Sequence, residues 1–174
     1  MKKFMNIPIP GMRIIKTALA VFLCFVIVAL TGEQYSGYSA IVAIVCMQKD
    51  WGDSKRISIN RSIGTVCGAA FGILTHKLME WFNLFDHLVL PYLLVSVMMI
   101  LLMIVIISIN KQDVTAVSCI IFLSVAILRD PKVDVWFFAF RRMIDTFIGI
   151  GVSLVVNMGL TEEFFGKIKM LKEK

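Results

Sequence analysis

Long apolar stretches, separated by short polar segments, run along almost the whole sequence. Six of them can be marked, at about 14–30, 38–47, 63–78, 88–109, 114–128 and 143–160. A helix that crosses a bilayer needs about 20 mostly apolar residues, and the second and fifth stretches are shorter than that. The pattern predicts an all-α polytopic membrane protein with six transmembrane helices, two of them short.

Two of the stretches contain nearly the same phrase, 81 residues apart. One copy runs Arg61-Ser62-Ile63-Gly64-Thr65 and continues to Gly68 and Gly72, and the other runs Arg142-Met143-Ile144-Asp145-Thr146 and continues to Gly149 and Ser153. At the same offset, the short stretch 38–47 aligns with residues 119–128. An internal repeat of this kind is typical of membrane transporters.

The repeat divides a single transmembrane domain, residues 1–174, into halves at about 11–80 and 88–160, with a short cytoplasmic tail at 161–174. If every stretch crosses the membrane, three crossings per half place the two halves in opposite orientations. We therefore expect two inverted three-helix repeats. The alternative is that one of the short stretches does not span the membrane.

Composition and charge indicate a membrane protein rather than a nucleic-acid-binding protein. Apolar residues make up 59% of the sequence, and the basic residues behind the net charge of +6 lie at the ends of the apolar stretches. With a cytoplasmic N-terminus, 13 Lys and Arg residues lie inside and 5 outside. This distribution favours a multi-pass protein of the cell membrane with both termini in the cytoplasm.

Polar and basic residues at the ends of the stretches are candidates for an anion pathway. Arg61 and Arg142 are expected at the entrances of the third and sixth helices, where they either snorkel to the membrane surface or attract a carboxylate. Gln48 and Lys49 end the second stretch, and Arg129 ends the fifth. In transporters built from repeats, a pair of short segments at corresponding positions often marks the substrate site. The alternative is that these residues only end their helices.

Polar residues inside the stretches are further candidates. Thr65, Thr146 and Asn157 are expected to line a polar path, unless the hydroxyl groups bond their own helix backbone. Asp145 is the most interior acidic residue, which makes it a candidate for proton coupling. The alternative is an ion pair with Arg142 or its neighbour on the same helix face.

The small residues of the two copies are expected to face another helix. Gly64, Gly68 and Gly72 form one stripe, and Gly149 and Ser153 repeat it. Such stripes let two helix backbones approach closely in lipid. Simple helix packing is one interpretation, and an axis along which the two halves move is the other.

The sequence carries no pattern that indicates catalysis. His76 and His87 lack a metal-ligand spacing, and the four cysteines stand singly in apolar stretches. Neither a phosphate-binding glycine loop nor a pair of catalytic carboxylates is recognisable. We therefore predict that the protein is not an enzyme and needs no cofactor and no metal.

A resemblance to a known family is carried by residues 38–72. They comprise the run from Tyr38 to Gln48 and then the phrase Asn60-Arg61-Ser62-Ile63-Gly64-Thr65 with Gly68 and Gly72. This part resembles the aromatic acid exporter family, within the fusaric-acid-resistance-like membrane proteins, and plant aluminium-activated malate transporters are similar in the same stretch. The resemblance implies six membrane helices per protomer, homo-oligomeric assembly and movement of small organic anions, with Arg61 and Arg142 as pathway residues.

The resulting hypothesis is export of small organic acids, aromatic carboxylic acids first, along a path between the two halves. A passive organic-anion channel of the same fold is one alternative, and it predicts current without saturation or a proton requirement. A non-transporting membrane scaffold subunit is the other, and it predicts that the arginines are dispensable.

Overall fold

The computed structural model describes residues 12–31, 37–48, 50–127 and 133–159, and every regular element within these ranges is a helix. The α-helices in chain order are α1 (Met12–Leu30), α2 (Tyr38–Cys46), α3 (Trp51–Trp81), α4 (Leu90–Ser108), α5 (Thr115–Ala126) and α6 (Val135–Gly159). Two short 3₁₀ helices, Leu84–Asp86 and Gln112–Val114, precede α4 and α5. The predicted all-α class is confirmed.

Three helices in the described ranges are long and apolar enough to cross a membrane: Arg13–Leu30, Trp51–Trp81 and Leu90–Ser108. By contrast, α2 has 9 residues and α5 has 12. Their rise of about 14 and 18 Å is roughly half of a hydrocarbon core of about 30 Å. The chain is therefore a membrane protein whose second and fifth helices are short, as the short apolar stretches predicted.

The side chains of α4 separate into a buried stripe and a lipid-compatible surface. Val95, Met98, Leu102 and Ile106 are buried and recur every three or four residues, the spacing of one helix face. The other faces carry exposed apolar residues such as Ile100, which is 58% exposed. A soluble helix would place polar groups there, so α4 is built to be surrounded by lipid.

The third helix begins well before the predicted start at residue 63. It starts at Trp51 and has 31 residues, and its first turns are mostly polar, so the apolar pattern does not mark them. Arg61 is therefore not at the helix entrance but in the eleventh position of α3. Arg142 is likewise in the eighth position of α6, which begins at Val135. The predicted placement of both arginines at helix entrances was wrong.

Two asparagines end the longest apolar helices. Asn83 follows α3 and Asn110 follows α4, and both adopt left-handed backbone angles, with φ of 49° and 57°. The N–H of Asn110 donates to the carbonyl of Ile107 at 2.9 Å, and the N–H of Lys111 donates to that of Ile106 at 3.3 Å. This pair of bonds is a Schellman motif, which satisfies the carbonyl groups of Ile106 and Ile107 at the end of α4.

The described chain divides into two compact units. The first unit comprises residues 1–55 and 148–174, which places α1, α2, the first residues of α3 and the last part of α6 together. Its buried core consists of small and medium side chains: Ala20, Cys24, Ala40, Ala43, Met47 and Val156. Small residues permit close helix approach in lipid, where helix association depends on packing rather than on exclusion of water.

The second unit comprises residues 56–147, which include most of α3, all of α4 and α5 and the first part of α6. One core cluster joins α3, α4 and α5 through buried residues such as Met79, Leu102 and Phe122. Another joins α3, α5 and α6 through Ala69, Val125 and Ala139. Each unit thus combines helices from both halves of the sequence.

The glycine stripes of α3 and α6 lie against the short helices. A Cβ atom on Gly68 of α3 would collide with the carbonyl oxygen of Ser118 of α5, inside the second unit. A Cβ atom on Gly149 of α6 would collide with the carbonyl oxygen of Ser39 of α2, inside the first unit. Each long helix therefore packs its glycine on the short helix of the other half.

The flanking small residues extend these contacts. Gly64 and Gly72 continue the stripe of α3, and a Cβ atom on Gly72 would lie 2.7 Å from the Cβ of Val125. Ser153 of α6 is fully buried, and its hydroxyl donates to the carbonyl of Ile150 at 2.9 Å. The serine therefore satisfies its polar atom locally and presents a small face.

The pattern of buried positions repeats along the chain. All eight buried positions of α3 between 54 and 78 fall on buried positions of α6 when 81 is added. An offset of 79 places four of the five buried positions of α2 on buried positions of α5, and an offset of 78 places three of the four buried positions of α1 on buried positions of α4. The exceptions are Ala40 and Lys16, which map onto the half-buried Cys119 and Leu94. The match of buried positions is complete for α3 and α6 and partial for the other two pairs of helices.

Candidate functional site

The arginines and the acid singled out by the sequence lie in the second unit. Arg142 of α6 is 8% exposed, and Asp145, three residues later on the same helix, is 6% exposed. Arg61 of α3 is half-buried. Lys49 and Arg129, which the sequence also singled out, lie outside the described residues.

The two predicted threonines bond their own helices. The hydroxyl of Thr65 donates to the carbonyl of Arg61, and the hydroxyl of Thr146 donates to the carbonyl of Arg142, each at 2.9 Å. Both threonines are buried. Because each hydroxyl proton is used by the backbone, these residues offer a pathway only an acceptor oxygen.

A buried lysine occupies the first unit. Lys16 of α1 is 8% exposed and stands on the same face as the fully buried Ala20 and Cys24. Its Nζ donates a hydrogen bond to Oδ1 of Asn157 of α6, at 3.0 Å. A lysine near the end of a membrane helix ordinarily extends its ammonium to water, so its burial against α6 is unusual.

Asn157 connects this lysine to the junction between α2 and α3. It is 5% exposed, and its Nδ2 donates to Oγ of Ser54 at 2.8 Å and to the carbonyl of Gln48 at 3.3 Å. The N–H of Gln48 also donates to Oγ of Ser54, at 3.0 Å. We call Lys16, Gln48, Ser54 and Asn157 the Lys16 cluster.

The network fixes the orientation of the Asn157 amide. An ammonium group has no acceptor, so the atom facing Lys16 must be the amide oxygen. The amide nitrogen then faces two oxygen acceptors, the hydroxyl of Ser54 and the carbonyl of Gln48. A buried polar group that is fully bonded in this way has one well-defined arrangement, so the cluster is preorganised.

The charge of the Lys16 cluster is positive and is not balanced within it. Its other members are an amide, a hydroxyl and a backbone segment, and no described carboxylate forms an ion pair with Lys16. An ammonium carries three N–H donors, of which Asn157 takes one. A buried cation with neutral partners is costly in a membrane protein, and an anion that binds beside it removes much of that cost.

Sequence reasoning found part of this cluster. Gln48 and Asn157 are among the candidates that the sequence predicts, whereas Lys16 and Ser54 are not. The available signal was spacing, because Lys16 precedes Ala20 and Cys24 at four-residue steps along one face of α1. Contacts over 141 residues of sequence, such as the bond from Lys16 to Asn157, require the fold.

Two recesses lie in the second unit. A cavity of about 740 Å³ is lined by residues that include His76, Met79, Phe85 and Tyr92. A polar recess of about 300 Å³ is lined by residues that include Arg56. The 20 residues of α3 from Arg56 to His76 rise about 30 Å, which is the thickness of a hydrocarbon core.

The described ranges contain no group of three or more His, Cys, Asp or Glu side chains that would hold a metal ion. The polar recess contains one exposed ion pair, Arg56 with Asp113 at 3.3 Å. Exposed pairs of this kind contribute little to stability. The buried cations among the described residues are Lys16 of the first unit and Arg142 of the second, each 8% exposed.

No curated protein and no solved structure matches the chain. The family model described as aromatic acid exporter family member 1 matches residues 9–160, which include all six α-helices and every member of the Lys16 cluster. The resemblance carried by residues 38–72 is thereby confirmed and extends over most of the chain. The protein belongs to the aromatic acid exporter family, a family of membrane transport proteins.

Proposed function

We propose that the protein exports small organic acids, aromatic carboxylic acids first, and that the Lys16 cluster binds their carboxylate group. One observation supports this assignment above the others. The ammonium of Lys16 is buried at 8% exposure, and its described partner is the neutral amide of Asn157. A carboxylate is the small-molecule group that complements such a cation.

Binding at this cluster addresses the main physical obstacle to export. A carboxylate loses its hydration when it enters the bilayer, and the cost is large unless donors replace the water. Lys16 supplies charge and two further N–H donors. The bond to Asn157 holds the ammonium in place, so little additional ordering accompanies anion binding.

The membrane arrangement that fits this function has six crossings in two inverted repeats, with both termini in the cytoplasm. The repeated burial pattern and the reciprocal contacts of Gly68 and Gly149 support the repeat. In this arrangement the repeats lie in opposite orientations, so Arg61 faces the cytoplasm and Arg142 the outside. Assembly of several copies in the cell membrane belongs to the same proposal.

The other charged candidates would attract the anion or couple its transport to a proton. Arg61 and Arg142, together with Lys49 and Arg129, would raise the positive potential along the pathway, which attracts anions and speeds their entry. Asp145 would take up a proton during the transport cycle, because a buried carboxylate in a membrane helix is suited to proton exchange.

Flux into and out of proteoliposomes tests the proposal. The full chain is reconstituted, and the movement of radiolabelled benzoate is measured for the natural sequence and for Lys16→Met. We expect the substitution to reduce the initial rate by at least about 10-fold, since charge-assisted hydrogen bonds are worth about 1.5–3 kcal/mol. Lys16→Arg should restore part of the rate because it retains the charge.

Lys55→Met is the matched control. It also removes one lysine charge from a helix, but Lys55 is exposed, so the rate should stay near that of the natural sequence. Equal loss in both variants would indicate a general charge effect, and an unchanged rate in Lys16→Met would refute the assignment of the cluster. Absence of any benzoate movement by the natural sequence would refute the proposed function itself.

A further inference from the structure

We infer that the cavity lined by His76, Phe85 and Tyr92 is a second binding site for the exported acid, and that it recognises the aromatic ring. The inference rests on the proposed function and adds to it a site and a reason for preferring aromatic over aliphatic acids. It depends on three observations: the position of the cavity in the repeat, the chemistry of its walls and the charge balance at its rim.

The cavity occupies the position in the second unit that corresponds to the Lys16 cluster in the first. Adding 81 to His76 gives Asn157, and adding 79 to Gln48 gives Ile127, which also lines the cavity. These are the offsets that align all eight buried positions of α3 between 54 and 78 with α6, and four of the five buried positions of α2 with α5. The two sites are therefore built from equivalent helix ends in the two repeats.

Equivalent positions carry different chemistry. At the offset of 78 that superposes α1 and α4, Lys16 corresponds to Leu94. The polar Gln48 corresponds in the same way to the apolar Ile127. The Lys16 cluster of the first unit therefore presents a buried cation, whereas the cavity of the second unit is lined mainly by apolar side chains.

The walls of the cavity suit an aromatic ring. Met79, Phe85, Leu88 and Tyr92 contribute apolar surface, and the cavity volume of about 740 Å³ is ample for a monocyclic acid with accompanying water. The rings of His76 and Phe85 have centroids 5.4 Å apart at 53°, which is an edge-to-face type of contact. A substrate ring that enters beside them extends the same kind of aromatic packing.

Donor groups in the cavity suit a carboxylate. His76 and His87 line it with imidazole rings, each of which carries an N–H donor even when neutral. Glu80 also lines it, and its carboxylate would repel an anion. Lys77 balances that charge, since its Nζ lies 2.7 Å from Oε2 of Glu80. The Glu80 carboxylate at the rim is therefore paired, and the carboxylate of Asp134 lies close enough to act on it as well.

The location of the cavity fits a release site. It lies at the His76 end of α3, about 30 Å of helix rise from the polar recess at Arg56. In the proposed arrangement with a cytoplasmic N-terminus, the His76 end of α3 faces the outside. An acid drawn in by the charge of Lys16 would then be held by its ring before it leaves.

Photolabelling with 4-azidobenzoate locates the site directly. The full chain in phosphatidylcholine nanodiscs is irradiated with the probe, digested and examined by peptide mass spectrometry. We expect labelled residues within 76–92 or 126–127, and protection by benzoate at lower concentrations than by cyclohexanecarboxylate. Labels confined to other segments, or equal protection by the two acids, would overturn the inference.

Two variants test the lining residues. His76→Leu and Tyr92→Ala should each reduce labelling of the cavity by about 10-fold, the effect of losing one good polar or aromatic contact. Leu74→Ala is the matched control, because Leu74 lies on the same helix, is 49% exposed and does not line the cavity. Unreduced labelling in both cavity variants would contradict the inference even where the natural sequence is labelled.

Flux and labelling of Lys16→Met distinguish the second site from the proposed function, and added phosphatidylglycerol distinguishes it from a lipid site. Lys16→Met should reduce flux by at least about 10-fold but leave labelling of the cavity in place, so either proposal can fail alone. Loss of flux in Lys16→Met without any cavity label refutes only the second site. If phosphatidylglycerol in the nanodisc suppresses the label as effectively as benzoate does, the cavity is a lipid site and the inference is wrong.

Discussion

Lys16 and Asn157 lie at opposite ends of the described chain, yet a 3.0 Å hydrogen bond joins Nζ of the lysine to Oδ1 of the asparagine. The bond ties α1 to the last turns of α6, and Asn157 carries the connection on to Ser54 at the start of α3. A single amide therefore links the beginning, the middle and the end of the membrane chain. Because the amide is neutral, it leaves the charge of Lys16 uncompensated within the Lys16 cluster.

Replacing this amide by a carboxylate should neutralise the cluster. In Asn157→Asp, an oxygen at the position of Oδ1 forms an ion pair with Lys16, and the hydroxyl of Ser54 can turn to donate to the other oxygen. We expect benzoate flux in proteoliposomes to fall by about 10-fold or more, while the melting temperature in detergent stays the same or rises.

The matched control for this change is Asn60→Asp. Asn60 is only half-buried on α3 and belongs to the second unit, so the new charge there should alter flux little. Undiminished flux in Asn157→Asp, with the protein folded, would show that Lys16 needs no free charge to serve transport.

Close approach of helices at Gly149 predicts a second, purely structural effect. A Cβ atom on Gly149 would lie 2.7 Å from the Cβ of Val42, and it would collide with the carbonyl of Ser39. Gly149→Ala should therefore destabilise the protein by about 1–3 kcal/mol through overpacking. Thermal unfolding in detergent measures the difference.

Gly151→Ala, two residues further along the same helix, is a close control. No atom lies within 4 Å of a Cβ atom at Gly151, so the added methyl should leave stability unchanged or raise it by up to about 1 kcal/mol through helix propensity. The distances predict a lower melting temperature for Gly149→Ala than for Gly151→Ala. If both variants melt at the same temperature, the close contact between α6 and α2 does not contribute to stability.

Much of the fold could be predicted from hydrophobic patterning. The apolar stretches gave α1, α2, α4 and α5 nearly correct bounds, because lipid-facing helices are apolar on most of their surface. The predicted start of α3 was wrong because residues 51–62 are mostly polar, so the apolar pattern that marks a membrane helix does not extend over them.

The candidate site was less predictable, for a physical reason. Repeated phrases drew attention to Arg61 and Arg142, whereas the buried cation of the first unit is Lys16, which the repeat does not duplicate. Charge counting treats every lysine at a helix end as exposed to water. Only the packing of α1 against α6 reveals that this one donates to an amide inside the protein.

Ser54 should be the structural support of the Lys16 cluster. Its hydroxyl accepts hydrogen bonds from Nδ2 of Asn157 at 2.8 Å and from the N–H of Gln48 at 3.0 Å. Ser54→Ala leaves both donors buried without this acceptor, which costs about 1–3 kcal/mol of stability. The change should appear as a lower unfolding temperature together with weaker benzoate flux.

Ser58, one turn further along α3, provides the comparison. It is 3% exposed, and its hydroxyl has no hydrogen-bond partner among the described residues, so Ser58→Ala removes no bond. We expect its stability to equal that of the natural sequence or to exceed it. A Ser54→Ala protein as stable and active as Ser58→Ala would mean that Asn157 is held by other groups.

Asp145 offers a test of proton coupling. It is 6% exposed and follows the buried Arg142 by three residues on α6. If the carboxylate takes up and releases a proton in each cycle, Asp145→Asn removes that step but keeps the shape of the side chain. The benzoate flux that exceeds that of protein-free liposomes should then no longer respond to an imposed pH gradient, although slow protein-dependent exchange of benzoate between the two sides persists. Asp53→Asn, which changes an exposed acid in the first turn of α3, should retain the full response.

A response to the pH gradient that survives in Asp145→Asn would assign proton coupling to another residue. Protein-dependent flux that ignores the gradient even in the natural sequence would show that transport needs no proton, which favours a passive channel.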